Sequence, residues 1–280
     1  MKGDMVMQDA RNSSARPEQM LVARNVTKKF ESHKKTITAM EDVSLTIGKG
    51  EFVSLLGPSG CGKSTFLRLV AGLDPMTEGE LILHNEPITG AGRDRGVVFQ
   101  QYSLLPWLHA WENVAFALKK AEDLSAAQKK EKAYHYLDLV GLKGFEMSYP
   151  AQLSGGMQQR VAIARALVFH PSLLLMDEPF GALDAQTRRE MQDLVMKVWS
   201  EEKCSVLFVT HDVDEAIYLS DRLYIMSAHP GRVAQEMTID IPKPRDFNDQ
   251  LSDKFMYYKR AIIMELELQK SLKNKTANKG

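Results

Sequence analysis

Gly57-Pro58-Ser59-Gly60-Cys61-Gly62-Lys63-Ser64-Thr65 has the spacing G-x-x-x-x-G-K-[ST], and its reading decides how the rest of the chain is understood. Before it, Glu51-Phe52-Val53-Ser54-Leu55-Leu56 reads as a short buried strand. After it, Phe66-Leu67-Arg68-Leu69-Val70-Ala71 reads as a helix stopped by Gly72. A strand, a glycine-rich loop and a helix in that order form the context a phosphate-binding loop requires; an accidental glycine-rich turn needs neither flank. Glycine at 57, 60 and 62 lets the backbone curl and aim N–H groups at phosphate oxygens. The helix N-terminus points its positive end at the same place. Lys63 adds a cation for the β- and γ-phosphates, and the Ser64 hydroxyl can ligate Mg²⁺.

Upstream of the loop, residues 1–19 are polar and read as a disordered arm, without the apolar core of a signal peptide. Leu21–Phe30 and Thr36–Ile47 read as strands, with Gly48-Lys49-Gly50 as the turn into the loop strand. Phe30 ends the first of these. An aromatic there could stack on a base, but by pattern alone a core position is the more ordinary reading.

Downstream, 73–79 reads as a loop, and Glu80–His84 and Gly96–Gln100 as short strands. Gln100 closes an apolar strand, where α/β sheets place ligand-facing groups; a surface glutamine fits equally well. Residues 103–111, containing Leu104-Leu105-Pro106-Trp107, are too apolar for an ordinary exposed loop. They imply either a local core or a docking patch. Helices are expected over 110–119 and 125–140, the second opened by the capping box Ser125-Ala126-Ala127-Gln128. No strand pattern occurs between Gln100 and Leu153, so a helical subdomain is inserted into an otherwise alternating α/β chain.

Leu153-Ser154-Gly155-Gly156-Met157-Gln158 opens the next helix, with Ser154 as its N-cap. Two glycines at a helix N-terminus expose N–H groups and could seat an anion, although a simple cap would look similar. Ser172–Met176 is an apolar strand that delivers Asp177 and Glu178 at its carboxyl end. Asp177 suits Mg²⁺, and Glu178 suits polarisation of an attacking water. Asp184 caps a helix whose Met191, Leu194, Val195, Val198 and Trp199 form a core stripe. Ser205–Thr210 is another buried strand, and His211 at its end is placed for a γ-phosphate contact. Arg222–Ser227 and Val233–Ile241 form a hairpin, 249–270 reads as a surface helix, and 271–280 as a frayed tail.

Length, charge and cysteine usage narrow the class. The chain has 280 residues, a formal net charge of zero and two cysteines, Cys61 and Cys204. One or two domains fit that length. Charge balance gives no electrostatic reason to expect nucleic acid. The cysteines make no disulfide framework and fit a reducing cytosol. No run of 18 apolar residues exists, so any membrane role is peripheral.

Taken in order, the 57–65 loop, Gln100, Leu153–Gln158, Leu173–Glu178 and His211 resemble the ATP-binding subunit of ABC transporters over residues 20 to about 240. Gly181-Ala182-Leu183-Asp184 looks like the family's D-loop. The resemblance implies a P-loop NTPase fold of ABC type: a RecA-like α/β core, an antiparallel β subdomain and an inserted α-helical subdomain at about 101–165. The ATPase domain is then 20–245 and the C-terminal helix and tail 246–280. By resemblance, the nucleotide contacts are Phe30, Gly57, Pro58, Ser59, Gly60, Cys61, Gly62, Lys63, Ser64, Thr65, Ser154, Gly155, Gly156, Gln158 and Asp184. The Mg²⁺ contacts are Ser64, Gln100 and Asp177. Glu178, His211, Lys63 and Gln100 carry hydrolysis. Phe30 falls where the family stacks adenine, which reverses the pattern-only reading.

The family also implies a head-to-tail homodimer, with each ATP between one subunit's loop and the other's Ser154–Gly156. It further implies membrane permease subunits docking near Leu104–Trp107, a periplasmic or extracellular solute-binding protein, and a place on the cytoplasmic face of the membrane. Met157 stands where many members have Gln, and Gly181 where many have Ser; neither removes a phosphate ligand. The Leu104–Trp107 run, Met157 and Ser227–Arg232 look like the nitrate, sulfonate and taurine importer subgroup, whose features importers of pyrimidine precursors share. A soluble ABC ATPase acting on nucleic acid is the reading from another class. It would call for a basic face or a long coiled-coil arm, and the stretch from Gln100 to Leu153 is too short for such an arm at ~1.5 Å per residue.

Overall fold

The computed structural model describes residues 18–32 and 35–277. Expectations for residues 1–17 and 278–280 lie outside the described residues.

Two sheets organise the chain. β1 (Gln19–Ser32), β2 (Lys35–Gly48), β4 (Glu78–Leu83) and β5 (Glu86–Pro87) form an antiparallel sheet in the order β2-β1-β4-β5. The second sheet has the order β10-β9-β3-β8-β7-β6. Its strands are β3 (Phe52–Leu56), β6 (Arg95–Val98), β7 (Leu173–Asp177), β8 (Ser205–Thr210), β9 (Arg222–Met226) and β10 (Val233–Thr238). All of its pairings are parallel except that of β10 with β9.

The central strands read as continuous apolar runs because both of their faces are buried. Successive side chains leave on opposite sides. Phe52, Leu56, Leu174, Met176, Val206 and Phe208 enter a core shared with the helices. Val53, Leu55, Leu173, Leu175, Leu207 and Val209 enter a second core shared with the antiparallel sheet.

The helices are α1 (Lys63–Val70), α2 (Ala110–Phe116), α3 (Ala126–Leu139), α4 (Gly155–Leu167), α5 (Ala185–Glu202), α6 (Val213–Leu219), α7 (Phe247–Gln250) and α8 (Asp253–Ala277). The Ser125–Gln128 capping box is present: the Ser125 N–H donates to Gln128 Oε1 at 2.8 Å, and the Gln128 N–H donates to Ser125 Oγ at 3.3 Å. Among the described residues no strand interrupts the span from β6 to β7; it holds α2, α3, a 3₁₀ turn at Pro150–Gln152, and α4.

Several boundaries differ from the sequence reading. α1 begins at Lys63, inside the motif, because Gly62 already takes a left-handed conformation (φ 95°) and the Phe66 N–H bonds Gly62 O at 2.8 Å. β6 stops at Val98, so Gln100 lies two residues past the strand. α2 ends at Phe116 and continues as turns. The C-terminal segment is neither purely superficial nor frayed from 271. It restarts at α8, where Ser252 Oγ accepts from the Phe255 N–H at 3.2 Å, and it runs to Ala277 with Phe255 and Ile262 fully buried.

Candidate active site

Strand order builds the site. The 57–62 loop leaves the carboxyl end of β3; His211 leaves β8 beside it; Asp177 ends β7, with Glu178 just beyond. β3, β8 and β7 are adjacent, so side chains far apart in sequence converge at one edge of the sheet, where open α/β sheets bind ligands.

The loop's shape is sterically fixed. A Cβ on Gly57 would lie 2.9 Å from both Cys61 Sγ and Met226 O; one on Gly62, at φ 95°, would lie 3.1 Å from Ala39 O. Cys61 itself is fully buried in the apolar core, and burial pushes its thiol up. Only its backbone can face a ligand. Pro58 and Thr65 are half-buried, while Ser59 and Gly60 are exposed at the loop's crown.

Lys63 lies back along this loop. Its side chain is 4% exposed, and Nζ donates to Gly57 O at 2.8 Å and to Pro58 O at 3.3 Å, with Glu178 Oε1 at 3.6 Å. Glu178 is held in turn. Its N–H bonds Val209 O at 2.9 Å, and its Oε2 lies 2.9 Å from His211 Nδ1. Its φ is 43°, a left-handed conformation rare for a non-glycine residue and the kind of strain that persists where surroundings over-determine it. Next to this cluster the Ser64 hydroxyl donates to Asp177 Oδ1 at 2.8 Å. Burial raises the Asp177 pKa, and the Ser64 bond opposes that only in part. A carboxylate penalised by burial, beside a hydroxyl, is a hard-oxygen donor set that suits Mg²⁺, which takes few protein ligands and fills its shell with phosphate and water.

Behind His211 sits a network with no signal in the sequence reading. Thr210 Oγ1 donates to Glu215 Oε2 at 2.7 Å and accepts from the Asp212 N–H at 3.0 Å. Gln192 Nε2 reaches Glu215 at 3.4 Å, and Arg188 Nε lies 3.8 Å from it. Burial raises the Glu215 pKa. These groups fix the turn that carries His211.

The other expected residues fall elsewhere. Gln100 is exposed and makes no hydrogen bond among the described residues. Phe30 is exposed rather than core, with Lys28 Nζ 4.9 Å from its ring centre. Across the ladder Phe30 pairs with Ile37 and Lys28 with Met40, while Ala39 and Met40 abut Gly62. The Phe30 backbone therefore stands two to three residues, about 7–10 Å, along the sheet from the point where β2 meets the loop.

Ser154 caps α4, its Oγ accepting from the Met157 N–H at 3.3 Å. No hydrogen bond joins Ser154, Gly155 or Gly156 to the 57–65 loop among the described residues. Both glycines also have a packing reason: a Cβ on Gly155 would lie 3.0 Å from Tyr102 Oη, and one on Gly156 2.7 Å from Thr187 Cγ2. Gln158 Nε2 donates to Pro150 O at 3.0 Å and Leu153 O at 3.1 Å, which holds the side chain against the turn before α4. Asp184 caps α5, accepting from the Gln186 and Thr187 N–H groups and the Thr187 hydroxyl; that hydroxyl bond leads in lowering its pKa.

The geometry fits the comparisons with known proteins. Residues 40–181 match the family described as ABC transporter. An aliphatic sulfonates import ATP-binding protein, SsuB of Bacillus cereus, is 45% identical over 244 residues, covering 86% of this chain and 94% of that protein. A nitrate import ATP-binding protein, NrtD of Synechocystis, is 48% identical over 213 residues, covering 76% and 80%. A solved dimeric ATP-binding cassette, in a post-hydrolysis state bound to ADP and Pi, superposes with a TM-score of 0.71 at 37% identity, covering 80% of this chain and all of that one.

Proposed function

The chain belongs to the ABC transporter family as an ATP-binding subunit of importer type, and from that premise we propose that it hydrolyses ATP between two copies of itself to drive uptake of a small oxyanion. The observation that carries the reading is the Lys63–Glu178–His211 cluster beside Ser64–Asp177. Lys63 is held by backbone carbonyls and a carboxylate, all of which the phosphates of ATP can replace. Freed from Lys63, Glu178 stays fixed to His211 and accepts a proton from the attacking water. His211 is 56% exposed, and its other ring nitrogen, without a hydrogen bond among the described residues, would contact the γ-phosphate. Ser64 and Asp177 would hold Mg²⁺, which supplies charge neutralisation of the phosphates.

Pairing is supported by what one chain lacks. Ser154–Gly156 offers helix N–H groups that do not meet the chain's own loop, so a second copy can supply them head to tail. In this reading 20–245 is the ATPase domain, with 101–165 inserted as its helical part, and 246–280 extends it.

A permease surface is also at hand. Trp107 is 69% exposed, and Phe145, Met147 and Tyr149 are exposed nearby. The Trp111 and Ala110 N–H groups bond Glu146 and Ser148 carbonyls, and the His109 and Tyr149 rings lie 4.2 Å apart, so the two segments form one apolar patch. No helix among the described residues is long and apolar enough to cross a membrane. Membrane subunits docked on this patch would hold the protein at the cytoplasmic face, working with an extracellular solute-binding protein. The names of the relatives favour sulfonates or nitrate as cargo. A pyrimidine precursor, or a non-transport role, is the competing reading. Uptake of labelled nitrate, alkanesulfonates and taurine by cells with and without the gene decides the cargo. Trp107→Ala should leave ATPase of the isolated subunit unchanged and reduce co-purification with the permease; equal co-purification refutes the docking site.

A further inference from the structure

α8 carries two apolar faces, of which the fold uses one. Phe255 and Ile262, seven residues apart, are buried. The same side is pinned by Lys259 Nζ to Asp214 Oδ2 and by Lys254 Nζ to Asp240 Oδ2, both at 2.8 Å, and by the Asp240 N–H bonding Tyr258 Oη at 2.9 Å. About 140° around the helix lies a second row: Tyr257, Ala261, Met264 and Leu268. Tyr257 is 68% exposed, Met264 73% and Leu268 51%. Their spacing of four, three and four residues is that of the a and d seam of a two-helix coiled coil.

We propose that this seam pairs with the same seam of a second copy of the chain, the two α8 helices running antiparallel. Charge selects both occupant and direction. Arg260 and Glu267 flank the row on one side. In an antiparallel pair Tyr257 meets Leu268 of the second copy and Ala261 meets Met264. Arg260 then faces Glu267 of the second copy, twice by symmetry. A parallel pair would set Arg260 against Glu265 of the second copy but leave Glu267 against Leu272, so only the antiparallel pair satisfies both flanking charges. Arg260 makes no hydrogen bond or ion pair among the described residues, and Glu267 holds only the exposed Lys270. The row spans about 16 Å, which is short for a stable interface of its own. It would act weakly in the nucleotide-free protein and strongly once another contact joins the copies. Its strength, not its geometry, rests on the paired-subunit reading above.

The test uses the full chain carrying Met264→Cys. Cys61 and Cys204 are buried, so the new thiol is the reactive one. A short bis-maleimide should trap a covalent dimer without nucleotide. Adding Arg260→Glu or Glu267→Arg should lower the yield about five- to tenfold, by turning two attractive pairs repulsive, and combining the two reversals should restore it. Circular dichroism checks that each variant is folded. Yields indifferent to the single reversals, or not restored by the double, overturn the proposal. So does flotation of the protein with anionic phospholipid vesicles that Met264→Glu abolishes, with no covalent dimer formed. ATP-dependent dimerisation of Glu178→Gln, read by light scattering, separates the two readings. Its absence with the cross-link retained leaves α8 pairing standing; its presence without the cross-link overturns α8 pairing alone.

Discussion

Replacing Glu178 by glutamine keeps the side chain's shape and its contact with His211 while removing one charge, and it should move binding and turnover in opposite directions. Without nucleotide, Lys63 Nζ lies 3.6 Å from the carboxylate. At an effective dielectric of about 20, that pair is worth up to about 5 kcal/mol. ATP must compete with it for the ammonium. If a fifth of this interaction opposes binding, Glu178→Gln should bind ATP about fivefold more tightly. The nucleotide-free variant should be less stable, because a buried ammonium loses its counter-ion, although two carbonyls still hold it. ATP should therefore raise its Tm more than it raises that of the parent. Turnover should fall 10²–10⁴-fold, or about 3–5 kcal/mol of barrier, with the loss of a positioned base. Phosphate release gives turnover, a fluorescent ATP analogue gives affinity, and light scattering reports an accumulating dimer. Turnover within about tenfold of the parent, or weaker ATP binding, refutes Glu178 as base and as the latch on Lys63.

Asp177→Asn should raise the Tm of the nucleotide-free protein and weaken Mg²⁺-dependent ATP binding. The folded-state pKa of Asp177 is raised by burial, so its ionisation costs stability as pH rises above the ordinary carboxylate range. The gain from Asn should be largest at neutral pH and shrink toward pH ~4, where the unfolded carboxyl also protonates; a pH-independent gain excludes this origin. Gly156→Val should cost about 1–3 kcal/mol through collision with Thr187, and Thr187→Ser should recover part of it in thermal melts. Cys61, buried and with its thiol pushed up, should resist alkylation in the folded protein and react on denaturation; rapid native labelling would mean the loop opens.

What could be read from the sequence follows a physical divide. β3, β7 and β8 were readable because strands buried on both faces must be apolar throughout, and a turn residue or an acid then marks their ends. Ser125 and Ser154 were readable because an N-cap is a local chemical event. Gln100 was placed at a strand end, but Phe99 and Gln100 lie past the pairing of β6 with β7; pairing depends on the partner strand, which the local run cannot display. Phe30 was ambiguous because exposure depends on what covers a strand end. The Thr210–Glu215–Gln192 network was silent, because its members lie on three elements that only the fold brings together. α8 was legible as a surface helix, but its two apolar faces were not, for a related reason: its apolar residues divide between a packed face and an open one, and mixed charges hide both.

In the proposed dimer, Gly156 would tie the partner-facing surface to the Glu178–His211 pair of the same chain. Its α-carbon abuts Thr187, and Thr187 is bonded by Asp184 at the start of α5. One and two turns on from Asp184, Arg188 and Gln192 of α5 approach Glu215, which holds Thr210, and Thr210 precedes the His211 that fixes Glu178. Each step is a packed contact, a hydrogen bond, an ion pair or a peptide link, and the path from α4 to the end of β8 runs through α5 and α6. A copy pressing on Ser154–Gly156 or Asp184 therefore loads the elements that orient His211. In the proposed dimer, hydrolysis would then depend on pairing even where the partner touches no reacting atom, because the geometry of the Glu178–His211 pair is set by the same helices that would receive the partner.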